Sequence, residues 1–539
     1  MRPGARTIAI AIAVATSVLY GWRLSDAPIY ISPDEAIISV DAHSLASTGR
    51  DVRGQLFPLY FQIQLPGETR MGWFTPAIFY LMALFLKVLP LSEAVVRMPT
   101  VLIGVTDVVL MYFVGRRLFQ REWLAILAAA LLALTPAHFM LSRYALDYLY
   151  PLPFTLGWLL CLFAFLDDRR PSVLFAATLL LGIGFFSYIA AVVMMPLYFL
   201  ATGAAIWRKP APWRELAIAA AGFGLPLLML VAWLPAHPTA VTDTIARYDL
   251  YDTKQLNALQ GLRSFLTYPN LERLASLYWS FFNPSFLFFS GDRQMMFSTR
   301  SIGVFALAVA PLLLLGLYHV VIMPARPAAL IALFGLVTAP VAALLGGEGG
   351  VIIRAVALIP FTVLLATFGV EFLWSRRVGQ QPRPLRWQQA AAVALLALVA
   401  LQFRSFASDY FNDYRLRSST WLGGNLRGAL ENLIEMESQQ KAPRIYFSTL
   451  ASTGGLMDIR NRWMDTYWRF YLIKHRREDL LARSGPLETG HVHDMPEGSL
   501  VLANIGEVNM DSLVKSGELK RVKAIPEVSG PEFFSILQR

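Results

Sequence analysis

Cysteine is nearly absent from this chain: its 539 residues include one, Cys161, which lies inside an apolar run. An intrachain disulfide and a cysteine-based metal site are therefore excluded, and cysteine usage does not indicate a redox compartment. Histidine is also scarce, with seven residues and no His-x-x-x-His spacing, so the common zinc-binding patterns are missing.

Charge is scarce as well. Only 16% of the residues are charged, whereas 56% are hydrophobic and the mean hydropathy is +0.49. A soluble core cannot hide that much apolar surface, so the composition predicts a polytopic α-helical membrane protein. The net charge of +10 does not indicate nucleic-acid binding, because Arg and Lys fall mostly in short loops between apolar runs, where cytoplasmic retention accounts for them.

The apolar runs predict about eleven transmembrane helices. Residues 7–20 follow a basic N-terminus and precede no small-x-small cleavage site, which predicts an uncleaved first span with its N-terminus in the cytoplasm. Further runs long enough to cross lie near residues 98–115, 123–141, 149–166, 172–187, 190–207, 214–234, 302–323, 328–345, 354–374 and 387–403.

Residues 73–90 are apolar enough to cross too, and whether they do decides the side of every later loop. The arginines near 116–121, 169–170, 208–214 and 376–386 all face the cytoplasm only if residues 73–90 do not cross. We therefore predict that residues 73–90 form an interfacial or re-entrant helix on the outer face, as one of the outer juxtamembrane helices of the fold. The same topology predicts an extracytoplasmic C-terminus.

With that topology, two long loops lie outside, at residues 25–97 and 235–300. The first begins with Asp34 and Glu35, directly after the first span and with no Lys or Arg among their neighbours. Such an acidic pair can accept a proton from a hydroxyl group or hold a cation. A structural interpretation is equally open, because Ser32-Pro33-Asp34-Glu35 also suits a helix N-cap and first turn.

Four stretches resemble the membrane-embedded glycosyltransferases of the GT-C superfamily. The closest group is family 39, the dolichyl-phosphate-mannose protein mannosyltransferase-like proteins with their bacterial aminoarabinose-transferase relatives. The stretches keep the expected order and spacing over residues 25–170, which makes the match more specific than any single motif. They are Pro33 to Ala36 with Ala42 to Asp51; Thr75 to Tyr80; Ser92 to Phe119; and Leu134 to Arg143.

The resemblance implies an inverting transfer of a sugar from a polyprenyl-phosphate donor at the extracytoplasmic face, without direct binding of a nucleotide sugar. In this family an acid of the first loop acts as the base, and that role falls on Asp34 here. Glu35 is a second catalytic candidate whose role stays open, since it equally suits a helix N-terminus.

The departing lipid phosphate is negatively charged and needs fixed cations. Arg97, Arg143 and Arg354 are the candidates, because each is predicted at an outer span boundary. The alternative for each is snorkelling to a lipid headgroup or a structural ion pair. Asp147 lies where related proteins often place a second acid, although an Asp at a helix start is common.

One departure from the family pattern matters. The relatives have a Lys or His before a double proline, whereas this chain has Phe74-Thr75-Pro76-Ala77, so a basic phosphate contact there must come from elsewhere, for which Arg70 is the candidate. No metal requirement is readable. If a divalent cation binds as a cofactor, Asp34 and Glu35 are the predicted oxygen ligands.

The composition changes after the last predicted span, which divides the chain into a membrane domain, residues 1–404, and a soluble extracytoplasmic α/β domain, residues 405–539. Strands are predicted at 444–448, 499–503 and 533–537, with helices at 465–475 and 510–516. About 135 residues suffice for an independent core. We expect this domain to cover the outer cavity or to present the acceptor.

The sequence thus predicts a polyprenyl-phosphate-sugar-dependent glycosyltransferase in a plasma (inner) membrane, with a lipid, glycan or protein acceptor and no nucleic-acid partner. Two alternatives are a transporter or flippase of lipid-linked sugars and a noncatalytic scaffold. A transporter needs polar groups inside its spans, whereas the charges here crowd the outer loops and Asp107 is the clearest acid within a span.

Overall fold

Helices account for most of the computed structural model, which describes residues 3–64, 71–119, 121–207, 212–322, 327–347, 349–374, 386–448, 456–487, 489–506 and 508–539. The apolar part of the chain forms α1 (Pro3–Gly21), α2 (Pro33–Thr48), α3 (Ala77–Leu86), α4 (Glu93–Leu118), α5 (Glu122–Ala133), α6 (Pro136–Leu141), α7 (Pro151–Asp168), α8 (Pro171–Gly184), α9 (Ala191–Trp207), α10 (Trp213–Trp233), α11 (Ala240–Arg247), α12 (Ala258–Phe265), α13 (Tyr268–Ser280), α14 (Val309–Ile322), α15 (Pro327–Thr338), α16 (Val341–Gly346), α17 (Leu358–Trp374) and α18 (Arg386–Phe411).

Within the described residues, six helical segments are long and apolar enough to cross a membrane: Gly4–Gly21, Glu93–Leu118, Asp147–Asp168, Trp213–Ala236, Pro327–Gly346 and Arg386–Phe411. Six shorter apolar helices accompany them, namely α3, α5, α8, α9, α14 and α17. Every predicted span coincides with a helix or helical segment of these two sets. The predicted span at residues 123–141 corresponds to α5 together with α6, which follows it directly. The prediction of a polytopic helical membrane protein is confirmed.

Helix α17 lies at the centre of the bundle, since every residue from Leu358 to Val370 is buried. It packs closely on α14 at two glycines. A Cβ atom at Gly316 would lie 1.8 Å from the carbonyl oxygen of Leu365, and one at Gly369 would lie 2.0 Å from that of Leu312. Small residues allow helix backbones to approach each other in a membrane, where packing rather than the hydrophobic effect drives association.

The ambiguous segment 73–90 forms a short helix. Its helical part, α3, has ten residues and so rises about 15 Å, half the hydrocarbon thickness of a bilayer. The chain just before it forms strand β2 (Met71–Phe74), which pairs antiparallel with β1 (Phe61–Gln64). That this helix does not cross stays a prediction, since α3 belongs to the same set of short apolar helices as α14 and α17.

The acidic pair begins helix α2. Ser32 is the N-cap: its side chain accepts a hydrogen bond from the Glu35 backbone N–H, and the Glu35 carboxylate accepts one from the Ser32 N–H at 2.8 Å. Pro33 occupies the first turn, where its missing N–H costs nothing. The capping interpretation of this motif is confirmed for Glu35, and it leaves the neighbouring Asp34 side chain outside the capping box.

Within the described residues, the C-terminal part consists of four α-helices and five strands. They are α19 (Asp413–Arg417), α20 (Leu426–Gln440), β3 (Ile445–Ser448), α21 (Leu456–His475), β4 (Ser484–Leu487), β5 (Leu500–Asn504), α22 (Val508–Lys515), β6 (Lys520–Pro526) and β7 (Glu532–Gln538). The five strands form a mixed sheet in the order β4-β3-β5-β7-β6. Strand β3 is parallel to β4 and β5, whereas β7 is antiparallel to β5 and β6. The three predicted strands correspond to β3, β5 and β7, and the two predicted helices to α21 and α22.

Helix α18 runs without interruption through the predicted domain boundary at residue 404 and ends at Phe411. The C-terminal part also contacts the loop that precedes Asp34. The Tyr467 hydroxyl donates a hydrogen bond to the Ile31 carbonyl at 3.0 Å, and the Tyr30 hydroxyl donates one to the Glu527 carboxylate at 3.1 Å. The C-terminal part thus holds the segment that positions Asp34.

Candidate active site

A polar cavity of about 150 Å³ lies at the start of α2 and collects residues from distant parts of the chain. Three predicted site residues, Asp34, Asp147 and Arg354, line it together. The complete lining is Asp34, Ile38, Trp73, Phe74, Thr75, Leu146, Asp147, Tyr148, Tyr188, Ile189, Arg247, Tyr248, Ile353 and Arg354.

The Asp34 carboxylate faces this cavity. Burial raises the pKa of Asp34, the positive charge of Arg247 lowers it in part, and the negative charge of Glu35 raises it further. No described residue donates a hydrogen bond to this carboxylate, in contrast to Glu35 beside it. Asp34 therefore has the properties of a proton acceptor, because its affinity for a proton is raised and its oxygens face open space.

Asp147 contributes the second carboxylate of the cavity. It begins a short 3-10 turn, Asp147–Leu149, directly before α7. The Thr75 hydroxyl donates a hydrogen bond to Asp147 Oδ2 at 3.0 Å. This contact ties the start of α7 to the segment after β2, so Asp147 is held more firmly than Asp34.

Arg354 supplies positive charge from the opposite wall. It ends the 3-10 turn Ile352–Arg354, its Nη1 donates to the Tyr188 hydroxyl at 3.3 Å, and its guanidinium lies 5.4 Å from the ring centre of Tyr248. An arginine held against an aromatic ring presents its remaining donors in a fixed direction.

The sequence analysis missed a second arginine of the cavity, Arg247, the last residue of α11. Its guanidinium lies 5.0 Å from the ring centre of Phe74, and its Nη1 is buried without a hydrogen-bond partner. A Cβ atom at Gly72 would lie 1.5 Å from that nitrogen, so the arginine fits only beside a glycine. Nothing in the local sequence distinguishes Arg247 from the other arginines of the long segment 235–300.

Arg97 does not line the cavity. Its side chain is fully buried and forms an ion pair with Glu35, with Nε 2.9 Å from Oε1. Its remaining nitrogens donate to three backbone carbonyls, those of Leu24, Pro28 and Tyr30, at 2.8 to 3.1 Å. All its donor groups are occupied, so the geometry favours a positioning role for Arg97 rather than the predicted phosphate contact.

The contacts of the Glu35 carboxylate are likewise all within the protein. Besides Arg97 and the Ser32 N–H, its carboxylate accepts a hydrogen bond from the Ala145 N–H at 2.9 Å. Its side chain is fully buried. Glu35 therefore holds α2 against α4 and the loop after α6, and its catalytic role stays a prediction.

Arg143, in the same loop after α6, is also buried. Its guanidinium donates to the carbonyls of Tyr20, Arg23 and Ala27 and packs on the ring of Phe411 at 5.1 Å. It does not line the polar cavity. Arg97 and Arg143 thus each bind three carbonyls of residues 20–30 and fix the segment that leads to Asp34.

Two further predictions concern residues or ligands beyond these contacts. Arg70 lies outside the described residues. Among the residues that are described, no cluster of three or more His, Cys, Asp or Glu side chains has the arrangement of a metal site. A divalent cation held by Asp34 and Glu35 stays an untested prediction, and it would have to compete with Arg97 for Glu35.

A larger and mostly apolar groove of about 1000 Å³ lies next to the polar cavity. The rings of Trp73, Trp233 and His237 lie between the groove and the cavity. The ring centre of Trp73 lies 5.0 Å from that of Trp233 and 5.4 Å from that of His237. The indole nitrogen of Trp73 also donates a hydrogen bond to Asp243 at 3.2 Å. The groove is lined by Arg50, Gly54, Gln55, Leu56, Phe57, Pro58, Leu59, Pro76, Ala77, Tyr80, Phe154, Ile183, Phe186, Met229, Ala232, Trp233 and His237.

The Glu35–Arg97 pair leads to a prediction about stability. Arg97→Met should lower the free energy of unfolding by about 3–5 kcal/mol, because it leaves the Glu35 carboxylate buried without its counter-ion. The exposed pair of Arg117 with Asp167, 3.4 Å apart, is the control: Arg117→Met should cost at most about 1 kcal/mol. Unfolding in a titration with a denaturing detergent measures both, and equal losses would contradict a special role for the buried pair.

Comparison with known proteins supports this picture of the fold. Residues 74–229 match the family model described as Dolichyl-phosphate-mannose-protein mannosyltransferase. ArnT from Cupriavidus metallidurans in the apo state superimposes with a TM-score of 0.54 at 12% identity, covering 99% of this chain and 98% of ArnT. The ArnT structure bound to undecaprenyl phosphate has the same identity and coverage and a TM-score of 0.51.

An archaeal oligosaccharyltransferase has the same fold. AglB from Archaeoglobus fulgidus, in complex with an inhibitory peptide and a dolichol-phosphate, matches with a TM-score of 0.51 at 11% identity over 87% of this chain. The match covers 64% of AglB, so this chain spans less than two thirds of its length. A search of curated proteins gives no match. The predicted GT-C fold, with membrane helices followed by a C-terminal sheet domain, is confirmed.

Proposed function

We propose that this multi-pass membrane protein is an inverting glycosyltransferase that moves a sugar from a polyprenyl-phosphate donor to an acceptor hydroxyl at the extracytoplasmic face. The observation that carries the proposal is the polar cavity, which combines the carboxylates of Asp34 and Asp147 with the guanidinium groups of Arg247 and Arg354. The matching ArnT and AglB structures are described with undecaprenyl phosphate and a dolichol-phosphate, respectively.

In the proposed reaction Asp34 removes the proton from the acceptor hydroxyl. The acceptor oxygen forms a bond to the anomeric carbon as the bond from that carbon to the phosphate oxygen breaks. The polyprenyl phosphate leaves with the electron pair, and the sugar product has inverted configuration. Arg247 and Arg354 stabilise the charge that develops on the leaving phosphate, and Asp34 then releases its proton to water.

Asp34 is preferred to Asp147 as the base because of their contacts. Asp147 accepts a hydrogen bond from Thr75, which occupies one of its oxygens and fixes its orientation. The Asp34 carboxylate is held by no described donor, so its oxygens are open to an acceptor hydroxyl. In this scheme Asp147 orients the acceptor or the sugar.

The apolar groove suits the prenyl chain. Its volume and its apolar lining match a long hydrocarbon ligand, and it lies beside the polar cavity, since Thr75 lines the cavity and the next residue, Pro76, lines the groove. A lipid-linked sugar could therefore place its chain in the groove and its phosphate and sugar in the cavity.

The pH dependence follows from the electrostatics of Asp34. Only the ionised carboxylate can act as a base, so kcat/KM should fall as the pH drops below the pKa of Asp34. Because burial raises the pKa of Asp34, this acidic limb of the pH–rate profile should lie at a higher pH than an exposed Asp would give. Arg247 lowers the pKa of Asp34, so Arg247→Gln should move the acidic limb to higher pH. A pH–rate profile measures the shift, and a limb that stays in place would argue against Asp34 as the base.

The transport alternative finds little support in the spans. Asp107, the clearest acid within a span, is fully buried, with Oδ2 3.3 Å from Nε2 of His138, which in turn contacts the hydroxyl of Tyr20. Asp107 lines neither the cavity nor the groove. The charged side chains of Asp34, Asp147, Arg247 and Arg354 line the polar cavity instead.

The reaction class is tested with purified full-length protein and a panel of polyprenyl-phosphate sugars, followed by mass spectrometry of the lipid products. Turnover of one donor to free polyprenyl phosphate with transfer to a hydroxyl acceptor or to water would support the proposal. Intact donors throughout, together with protein-dependent movement of a lipid-linked sugar across vesicles, would favour the transporter.

We also propose that the protein lies in a plasma (inner) membrane with its N-terminus in the cytoplasm and its C-terminal part outside. The alternating arginine-rich loops support this orientation. A cysteine introduced at residue 539 in a Cys161→Ser background should react with an impermeant reagent added from outside. Labelling only after the membrane is opened would reverse the orientation.

A further inference from the structure

A second polar cavity, of about 460 Å³, adjoins the proposed active site. The two cavities share Arg247, Tyr248 and Arg354, which form the wall between them. Beyond that wall the second cavity contains a third arginine, Arg273 on α13, which the proposed reaction does not use.

Positive charge dominates this second cavity. Three of its described lining residues are the arginines Arg247, Arg273 and Arg354, and one, Asp249, is acidic. The arginines come from three separate elements, α11, α13 and the turn before α17, so tertiary folding brings them together. Such a concentration of guanidinium groups favours an anionic ligand, which several of them can contact at once.

Two consecutive glycines keep the space between the arginines open. A Cβ atom at Gly346 would lie 3.6 Å from Arg354 Nε, and one at Gly347 would lie 3.6 Å from Arg273 Nη1. Gly347 also has a φ of +67°, which side chains rarely adopt. The turn therefore places Arg273 and Arg354 on either side of a backbone that has no side chain to fill the gap.

We propose that this cavity binds a second anionic group, a phosphate or carboxylate, in addition to the phosphate of the donor. The inference rests on the proposed function, in which Arg247 and Arg354 contact the donor phosphate from the other side of the shared wall. One phosphate cannot occupy both cavities, and Arg273 faces only the second. The second anion belongs either to the acceptor or to a donor that carries a diphosphate.

Binding of inorganic anions tests the site without any turnover. Calorimetry on the purified full-length protein compares the binding of inorganic phosphate to the wild type, Arg273→Gln and the control Arg263→Gln, an exposed arginine on α12 outside the cavity. We expect the wild type to bind two phosphates per chain, Arg273→Gln to bind one, and Arg263→Gln to keep both. A single phosphate in the wild type, or two in Arg273→Gln, would overturn the proposal.

Transfer assays then identify the source of the anion. A lower kcat/KM of Arg273→Gln with a polyprenyl-diphosphate sugar alone places the second anion on the donor. A lower value with a polyprenyl-monophosphate sugar and an acidic acceptor, but not with a neutral acceptor, places it on the acceptor. An unchanged kcat/KM in both arms overturns a role in catalysis. If no donor is turned over, the proposed function fails, while the calorimetry still decides whether the anion site exists.

Discussion

Replacing Asp34 by Asn should lower kcat by about 10²- to 10⁴-fold, the usual contribution of a general base. The amide keeps the size of the side chain but cannot accept the acceptor proton. Turnover of a polyprenyl-phosphate sugar, followed under saturating donor, measures the loss. The KM for the donor should change little, because the base acts on the acceptor hydroxyl.

Two matched variants show whether the loss is specific to Asp34. Asp41→Asn is the control, since Asp41 lies two turns further along α2, is absent from the polar cavity and keeps its hydrogen bond from the Val52 N–H as an amide. Asp147→Asn should reduce turnover less than Asp34→Asn. If Asp147→Asn abolished turnover while Asp34→Asn left it intact, the base would be Asp147.

Replacing Arg247 by Gln should lower kcat by about 10²- to 10³-fold, the range seen when one group that stabilises developing charge is removed. The guanidinium lies over the ring of Phe74 and its Nη1 is buried without a partner, so it is already oriented before the phosphate departs. Its contribution should therefore appear mainly in kcat, as the charge on the phosphate oxygen grows in the transition state.

Arg247→Lys and Arg263→Gln complete this experiment. Lysine keeps the charge but lacks the planar fork, so it should recover only part of the rate. Arg263→Gln removes the same charge from an exposed position on α12 and should leave the rate unchanged. Full activity in Arg247→Gln would move the phosphate contact to Arg354 or to a residue outside the polar cavity.

The buried arginines show where reasoning from sequence reaches its limit. Arg97 and Arg143 stand in motifs that resemble the family pattern and at predicted outer span boundaries, so phosphate binding was a reasonable prediction for both. Their terminal nitrogens instead bind carbonyls of residues 20–30, and Arg97 also binds Glu35. A motif identifies a residue that the fold requires, but burial and occupied donors decide whether it can meet a ligand.

The C-terminal sheet domain has a role that its sequence does not indicate. It contains no motif for a known active site, and we expected it to cover the cavity or to present the acceptor. Tyr467 and Glu527 reach the loop before Asp34 by hydrogen bonds. The domain therefore supports the position of the proposed base, and covering or presenting functions stay proposals.

Local chemistry in the sequence was enough for the class of the protein and for its elements. Apolar runs of sufficient length predict membrane helices because the bilayer requires internally bonded backbone, and the Ser32-Pro33-Asp34-Glu35 pattern predicts a capped helix start because the side chains satisfy free N–H groups. The resemblance to the family pointed to Asp34 and Asp147, and the predicted span boundary pointed to Arg354; the fold brings these three residues into one cavity.

Only the tertiary structure decided which charges face open space. Arg247 and Arg273 lie in a long loop without a diagnostic pattern, and they reach the two cavities because α11 and α13 pack beside β2 and the turn at Gly346. Glu35 and Arg97 are hidden because their helices meet. Contacts between residues far apart in the chain depend on the packing of whole elements, which no local spacing in the sequence records.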